Sequence, residues 1–214
     1  IRNGHKVTYL ICTDGGSGTL DPTVKIVDLV KIRKAESLLA AQKMGVTEVT
    51  FLEYPDGGIY DVSRMSSDIS RVILQVKPDL VLCPDPLLPN ETHPDHLNVG
   101  EAARRSLVAA TYPNAARRHG LVVDETTILP RGITLGYYYT SRANAVIDLT
   151  TADFNNQVAA IKCHASQMDP SMEMAFGYLK MRGQKFGFVV NAPHGEGYFV
   201  LGPIQQHCFL ENLS

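Results

Sequence analysis

The sequence contains no long apolar run, no excess of basic residues and no pair of cysteines at metal-binding or redox spacing. A membrane-spanning helix needs roughly 18 apolar residues, and each apolar stretch of this chain is shorter and flanked by Gly, Pro or charge. The 20 Lys and Arg against 22 Asp and Glu argue against extended contact with the phosphates of DNA or RNA. Four scattered cysteines without a C-x-x-C pair form neither a zinc knuckle nor a disulfide framework, which favours a reducing, cytoplasmic compartment.

The sequence also lacks an initiating Met and a signal-peptide pattern. It opens with Asn3-Gly4 just before the apolar run from Val7, a pattern typical of a helix C-terminus that leads into a strand. We therefore expect the sequence to begin inside a fold, with a first strand and its loop upstream of Ile1. The missing signal peptide then says little about secretion.

A regular alternation of strand, loop and helix fills the first half of the chain. With 214 residues, 44% of them hydrophobic, the length fits a single domain over residues 1–214. Alternating elements with short links predict an α/β fold with a doubly wound, mostly parallel, Rossmann-like sheet and helices on both faces. The predicted strands are 6–12, 48–54 and 79–83, and the predicted helices are 26–44, 61–77 and 93–110.

The second half is less regular. Its polar, Pro-punctuated segment 111–131 predicts a long loop or lid. A Thr-x-x-Asp capping box at Thr150 opens a predicted helix that runs to about residue 167. A further helix is predicted at 171–182, and strands at 133–139, 145–149 and 197–202.

Three loops follow the predicted strands of the first half, at residues 13–19, 55–58 and 84–96. Ligands of doubly wound sheets bind beyond the carboxyl ends of the strands. We expect the functional site at that edge, where these loops converge.

The tetrapeptide His93-Pro94-Asp95-His96 is the most informative motif. Two histidines three residues apart in the first turn of a helix point to the same side, and Pro94 costs nothing there because the N–H that it lacks would have no partner. One imidazole can ligate a divalent metal, the other can act on a substrate, and Asp95 can orient a ring. The alternative is an ordinary helix start with Asp as the cap and two solvated histidines.

Other polar residues have structural interpretations beside functional ones. The glycines of Asp14-Gly15-Gly16-Ser17-Gly18 suit a phosphate cradle. The loop lacks the G-x-G-x-x-G register and the Walker A Lys, so a flexible loop with Asp14 as a polar contact to the ligand is the commoner alternative. The spacing of Arg33 and Glu36 predicts an ordinary surface ion pair. Asp56 is an ideal turn residue, and its place at the strand-end rim makes it a candidate.

Two further histidines and the cysteines have ordinary interpretations. His164 is predicted to be partly buried on a helix, and His194 to lie in a loop. No G-x-S-x-G elbow occurs, which argues against a serine nucleophile. Cys12 and Cys83 fall inside apolar strands, where a cysteine behaves as a small hydrophobic residue rather than a nucleophile.

Taken together, the ordered motifs resemble the LmbE-like (PIG-L) superfamily of zinc-dependent N-acetylglucosaminyl deacetylases. The resemblance covers most of residues 4–105 and becomes weaker afterwards. It rests on Gly4-His-Lys-Val, Thr13-Asp-Gly-Gly, Arg33-x-x-Glu36, Phe51-Leu-x-Tyr-Pro-Asp-Gly57, Pro78-Asp-Leu-Val and above all His93-Pro-Asp-His96.

The resemblance implies zinc-dependent removal of acetyl from an N-acetylglucosamine-type sugar or conjugate. It makes His96 a zinc ligand and His93 the group that stabilises the oxyanion or protonates the leaving amine, with Asp95 as its support. It places Arg33 and Asp56 among the contacts to the sugar. The expected partner is therefore a small N-acetylated sugar, without nucleic acid or a membrane span, and a homo-oligomer is left open.

In one respect the sequence departs from the family. The family takes two further zinc ligands and a general-base Asp from an Ala-His-Pro-Asp-Asp-Glu-type motif after its first strand, and no His-Pro-Asp-Asp occurs here. We expect that motif upstream of Ile1, since a catalytic zinc typically has three protein ligands and a water. Two other functions stay open: a non-catalytic sugar- or nucleotide-binding domain, and a Rossmann-like methyltransferase that binds its cofactor at residues 13–19.

Overall fold

The computed structural model describes residues 1, 3–124, 127 and 132–207. No helix in these ranges combines the length and apolarity that a bilayer-spanning segment requires. The strands are β1 (Thr8–Thr13), β2 (Glu48–Tyr54), β3 (Leu80–Pro84), β4 (Thr134–Tyr138), β5 (Ala145–Leu149) and β6 (His194–Leu201). The helices are α1 (Ile26–Lys43), α2 (Val62–Val76), α3 (Pro94–Thr111), α4 (Pro113–Arg118), α5 (Thr151–Ile161) and α6 (Met172–Val189), with 3₁₀ turns at Ala165–Gln167 and Ile204–Gln206.

The chain divides into two compact units, of which the first comprises residues Ile1–Ile59 and Val146–Glu196. Here β1 and β2 pair in parallel, from Thr8 opposite Glu48 to Thr13 opposite Tyr54, and α1 packs against α5. Because the two strands are parallel, their carboxyl ends lie at the same edge. The loops after β1 and β2 therefore lie side by side.

The second unit comprises Tyr60–Ala145 and the chain from Gly197 onward. In this unit β3 pairs in parallel with β4, and β4 pairs antiparallel with β6. Helices α2 and α3 pack together, and the Ser70 hydroxyl of α2 donates a hydrogen bond to the Ser106 carbonyl of α3 (3.0 Å). Met65, Ile69 and Ile73 bury one face of α2, as their i, i+4, i+8 spacing predicts.

The predicted α/β class is confirmed, with differences in detail. The strands form two sheets, β1-β2 and β3-β4-β6-β5, and the antiparallel β4–β6 pair makes the second sheet mixed. Part of the predicted 111–131 loop is helix α4, because Pro113 at its first position favours a helix start; residues 125, 126 and 128–131 of that segment lie outside the described residues. The capping box at Thr150 is confirmed, although α5 already ends at Ile161. The single domain over residues 1–214 stays a prediction.

Gly100 allows α3 to approach the end of β3. A Cβ at Gly100 would lie 2.4 Å from the Pro84 carbonyl oxygen and 3.0 Å from Cδ of Pro86. We expect Gly100→Ala to lower the free energy of unfolding by about 1–3 kcal/mol, because the helix must shift to relieve the overlap. Gly177→Ala in α6, where an added Cβ meets nothing within 4 Å, is the control and should stabilise by about 0.5–1 kcal/mol. Urea unfolding measures both, and equal effects would contradict the close approach.

Candidate active site

The two histidines of the central motif lie together at the start of α3. His93 is the N-cap residue, Pro94 is the first helical residue, and His93 Nδ1 accepts a hydrogen bond from the Asp95 backbone N–H (3.3 Å). The imidazole rings of His93 and His96 stack with their centroids 4.7 Å apart. Since Nδ1 of His93 is an acceptor here, the proton of the neutral ring is assigned to Nε2.

Glu91 holds the second histidine and was not predicted from the sequence. Its Oε1 accepts hydrogen bonds from the backbone N–H groups of Thr92 and His93 (2.8 Å each), and its Oε2 lies 2.8 Å from His96 Nδ1. The bond from His96, with help from the His93 N–H, keeps the pKa of Glu91 below its usual value. A carboxylate acceptor at Nδ1 assigns the proton of His96 to that nitrogen, so Nε2 keeps its lone pair.

Asp95 is buried, with 3% of its surface exposed. Its Oδ1 accepts a hydrogen bond from the Tyr60 hydroxyl (2.7 Å), and Asn98 Nδ2 donates to that same hydroxyl oxygen (3.4 Å). The alternative in which Asp95 is the helix cap is wrong, because His93 is the N-cap residue and Asp95 lies within the first turn. Tyr60 lies 35 positions before Asp95, and nothing local in the sequence indicates that contact.

Asp14 and Asp56, two predicted substrate contacts, are brought together by the adjacent loops after β1 and β2. Asp14 Oδ1 accepts hydrogen bonds from the backbone N–H groups of Gly16 (2.9 Å) and Asp56 (3.1 Å). Asp56 Oδ2 accepts from the Ser17 N–H (3.1 Å), and the Ser17 hydroxyl donates to the Asp56 carbonyl (2.6 Å). The backbone N–H groups of Gly16 and Ser17 already donate hydrogen bonds to carboxylates. This geometry therefore disfavours phosphate binding by the loop.

The predicted surface ion pair of Arg33 and Glu36 is wrong, because both side chains are buried. Their residues are 5% and 9% exposed, and the charged atoms are 4.0 Å apart. Arg33 Nη2 donates to the Gly18 carbonyl (2.6 Å), while Nε and Nη1 are buried with no hydrogen-bond partner among the described residues. Burial lowers the pKa of Arg33, against the opposing effect of the Glu36 and Asp56 carboxylates. Apolar residues surround α1 on several sides, so its sequence does not reveal which side is buried.

Glu36 owes its burial to the 3₁₀ turn that follows α5. Its two oxygens accept hydrogen bonds from the backbone N–H and the hydroxyl of Ser166 (2.6 Å each). We expect Glu36→Met to lower the free energy of unfolding by about 1–3 kcal/mol, because the Ser166 N–H loses its acceptor. Glu36→Gln is the matched control and should cost less, since its oxygen can accept from the N–H and its NH₂ can donate to the hydroxyl. Chemical denaturation that ranks Gln below Met in stability would contradict this.

The two remaining histidines and Cys12 lie in or next to regular secondary structure. His194 lies within β6 rather than in the predicted loop, and its ring stacks on Phe154 with centroids 4.3 Å apart. His164 lies between α5 and the 3₁₀ turn rather than on a helix. Burial lowers the pKa of His164, the Glu36 carboxylate opposes this effect, and the positive charge of Arg33 adds to it. Cys12 is buried, which raises its pKa to about 12, so it is a poor nucleophile.

Comparison with known proteins defines the class to which this fold and site belong. The family model described as "PIG-L: GlcNAc-PI de-N-acetylase" matches residues 1–107. Diacetylchitobiose deacetylase from Thermococcus kodakarensis is 30% identical over 209 residues, which cover 96% of this chain and 76% of that protein. The chain therefore belongs to the PIG-L family.

Solved structures agree with this assignment. N,N′-diacetylchitobiose deacetylase from Pyrococcus horikoshii, in complex with an inhibitor, superposes with a TM-score of 0.87 at 28% identity over 98% of this chain and 78% of that one. Protein TT1542 from Thermus thermophilus has the same fold, with a TM-score of 0.72 at 21% identity over 94% and 84% of the two chains. The family, the fold and the hydrolytic deacetylase class that the sequence predicts are confirmed.

Proposed function

We propose that this protein hydrolyses the acetamide of an N-acetylglucosamine-type sugar or sugar conjugate, releasing acetate and a free amine. The observation that carries the proposal is the pair of histidine rings at the start of α3, whose neighbours assign the ring proton to a different nitrogen in each. Neighbouring groups leave His93 with a proton on Nε2 and His96 with a lone pair on Nε2. The T. kodakarensis and P. horikoshii relatives are named for the deacetylation of diacetylchitobiose, which is an N-acetylated sugar of this class.

The chemistry of the donors fits a divalent metal, and we propose zinc. His96 offers a neutral imidazole nitrogen whose ring is held by a carboxylate, the arrangement in which histidine usually ligates zinc. When bound, such a metal polarises the carbonyl of the acetamide and makes its carbon more electrophilic.

In this proposal His93 acts on the tetrahedral intermediate. Water loses a proton to a general base as it adds to the acetamide carbon, and Nε2–H of His93 donates a hydrogen bond to the resulting oxyanion. The C–N bond then breaks as the departing nitrogen takes up a proton, either from that base or from His93 in its doubly protonated form. Asp95, fixed by the Tyr60 hydroxyl, supports the helix turn that carries His93.

We also propose that Arg33, Asp14 and Asp56 contact hydroxyl groups of the sugar. Arg33 supports this because two of its nitrogens, Nε and Nη1, have no hydrogen-bond partner among the described residues. A buried donor without a partner costs free energy unless a ligand satisfies it. A cytoplasmic location and a homo-oligomer remain further proposals, and the scattered cysteines support the first of these.

A pair of histidine variants tests the proposal. Acetate release from N,N′-diacetylchitobiose should be lost in His96→Ala together with the bound metal. The control His119→Ala removes an exposed histidine that contacts Ser67 and should keep both. A non-catalytic sugar-binding domain would instead keep its sugar affinity in His96→Ala and release no acetate in any form. That result would overturn the proposal.

A further inference from the structure

We infer that Glu91 is a positioning residue that sets which ring nitrogen His96 presents to a metal. This inference rests on the proposed function in so far as it assumes that a metal binds at His96. Its separate foundation is the set of three hydrogen bonds that the Glu91 carboxylate accepts, from two backbone N–H groups and from His96.

The backbone fixes the orientation of the Glu91 carboxylate independently of its contact with His96. Because Oε1 is held by the N–H groups of both Thr92 and His93, the plane of the carboxylate is set by the backbone that leads into α3. Oε2 is then directed at Nδ1 of His96 at 2.8 Å. The Glu91 side chain is only 20% exposed, so solvent screens this contact less than it would an ion pair at the open surface.

The loop that carries Glu91 is itself anchored to the sheet. The Glu91 N–H donates to the Leu88 carbonyl (3.2 Å), and the Leu88 N–H donates to the Asp85 carbonyl (3.3 Å). The Asp85 N–H in turn donates to the Tyr138 carbonyl at the end of β4 (3.0 Å). A chain of turns therefore connects β4 to Glu91, and through Glu91 to the ring of His96.

Replacing the Glu91 carboxylate by an amide should move the ring proton of His96 from Nδ1 to Nε2. Glu91→Gln keeps one acceptor, and that oxygen is needed by the two backbone N–H groups. Its NH₂ group must then face Nδ1 of His96, which becomes an acceptor and moves the ring proton to Nε2. A protonated Nε2 cannot ligate a metal, so the substitution acts on metal binding without removing the ligand.

Two measurements on the full-length protein test the inference, with Glu101→Gln as the control. Glu101 lies on α3, is similarly exposed (23%) and bonds Arg104 and Arg105. In metal-free wild-type protein, long-range ¹H–¹⁵N spectra should show His96 with its proton on Nδ1, and Glu91→Gln should move it to Nε2. Zinc affinity, measured by competition with a chromophoric chelator, should fall about 10- to 100-fold in Glu91→Gln and stay unchanged in Glu101→Gln.

Each outcome decides the inference separately from the function. A wild-type His96 protonated on Nε2, or a zinc affinity of Glu91→Gln within twofold of wild type, would overturn the role of Glu91 and leave deacetylation standing. A wild-type protein that binds no zinc would overturn the metal in the proposed function, while the ring proton of His96 still tests Glu91. If Glu91→Gln does not fold, the wild-type spectrum alone decides.

Discussion

His93→Ala is expected to lower kcat/KM for acetate release by about 100- to 10,000-fold, the range that a general acid or oxyanion donor supplies. The expected cause is loss of the Nε2–H donor, since Nδ1 of His93 accepts the Asp95 N–H. Zinc affinity should change little, because the metal is proposed to bind through His96. Steady-state acetate release and metal competition on the same samples separate the two effects.

A matched variant controls for loss of a histidine in the same unit. His119→Ala removes an exposed ring whose Nδ1 lies 2.7 Å from the Ser67 hydroxyl oxygen and should keep wild-type kcat/KM. If His93→Ala lost less than about tenfold, a catalytic role for His93 would be ruled out, since one good catalytic donor supplies at least about 100-fold.

Arg142→Met is expected to lower the free energy of unfolding by about 3–5 kcal/mol, because it leaves a buried carboxylate without its counter-ion. The side chain of Asp85 is fully buried, and Arg142 Nη2 lies 3.0 and 3.1 Å from its two oxygens. Thr140 also donates to it, at 2.7 Å. Met keeps most of the apolar stem of Arg142 but also loses the guanidinium, whose Cζ lies 4.5 Å from the centroid of the Phe199 ring. Urea unfolding measures the loss.

A second substitution distinguishes charge from packing in this network. Adding Asp85→Asn to Arg142→Met removes the stranded charge and should recover part of the lost stability, so the two changes should not add. A double variant that loses the sum of the two single effects would show that the pair contributes by packing alone. Because the loop from Asp85 leads to Glu91, Arg142→Met should also weaken zinc binding.

Local periodicity predicts most of the fold. The spacing of Met65, Ile69 and Ile73 gives α2 its buried face, and Gly45, with a backbone φ of +77°, follows the C-cap residue Met44 of α1. The β2 strand and β5 have the predicted bounds. The sequence fails at two elements: α4 forms within a segment whose polarity resembles a loop, and β6 extends back to His194.

Burial of charge is what the sequence does not reveal. Asp85 follows a strand in a Pro-rich segment and looks like a loop residue, but its partners Thr140 and Arg142 are 55 and 57 positions away. Arg33 and Glu36 look like a helical surface pair because the 3₁₀ turn that covers Glu36 is 130 positions further on. Such contacts depend on the whole fold, so spacing rules assign these residues to the surface.

Parts of the candidate site were nonetheless accessible from local sequence. His93 and His96 lie together because three residues make nearly one helical turn, and that proximity follows from the motif alone. Glu91 lies five positions before His96 and could have been found as a carboxylate placed just before a histidine-bearing helix start. Tyr60 could not have been found in this way, because it contacts Asp95 from the segment before α2.

The most direct measurement is the stoichiometry of acetate and amine formed by full-length protein from N,N′-diacetylchitobiose, before and after removal of metal. We expect equal amounts of the two products, loss of both on chelation and recovery when zinc is added. The absence of acetate from every N-acetylated sugar tried, with a well-folded and zinc-loaded sample, would contradict the proposed deacetylation.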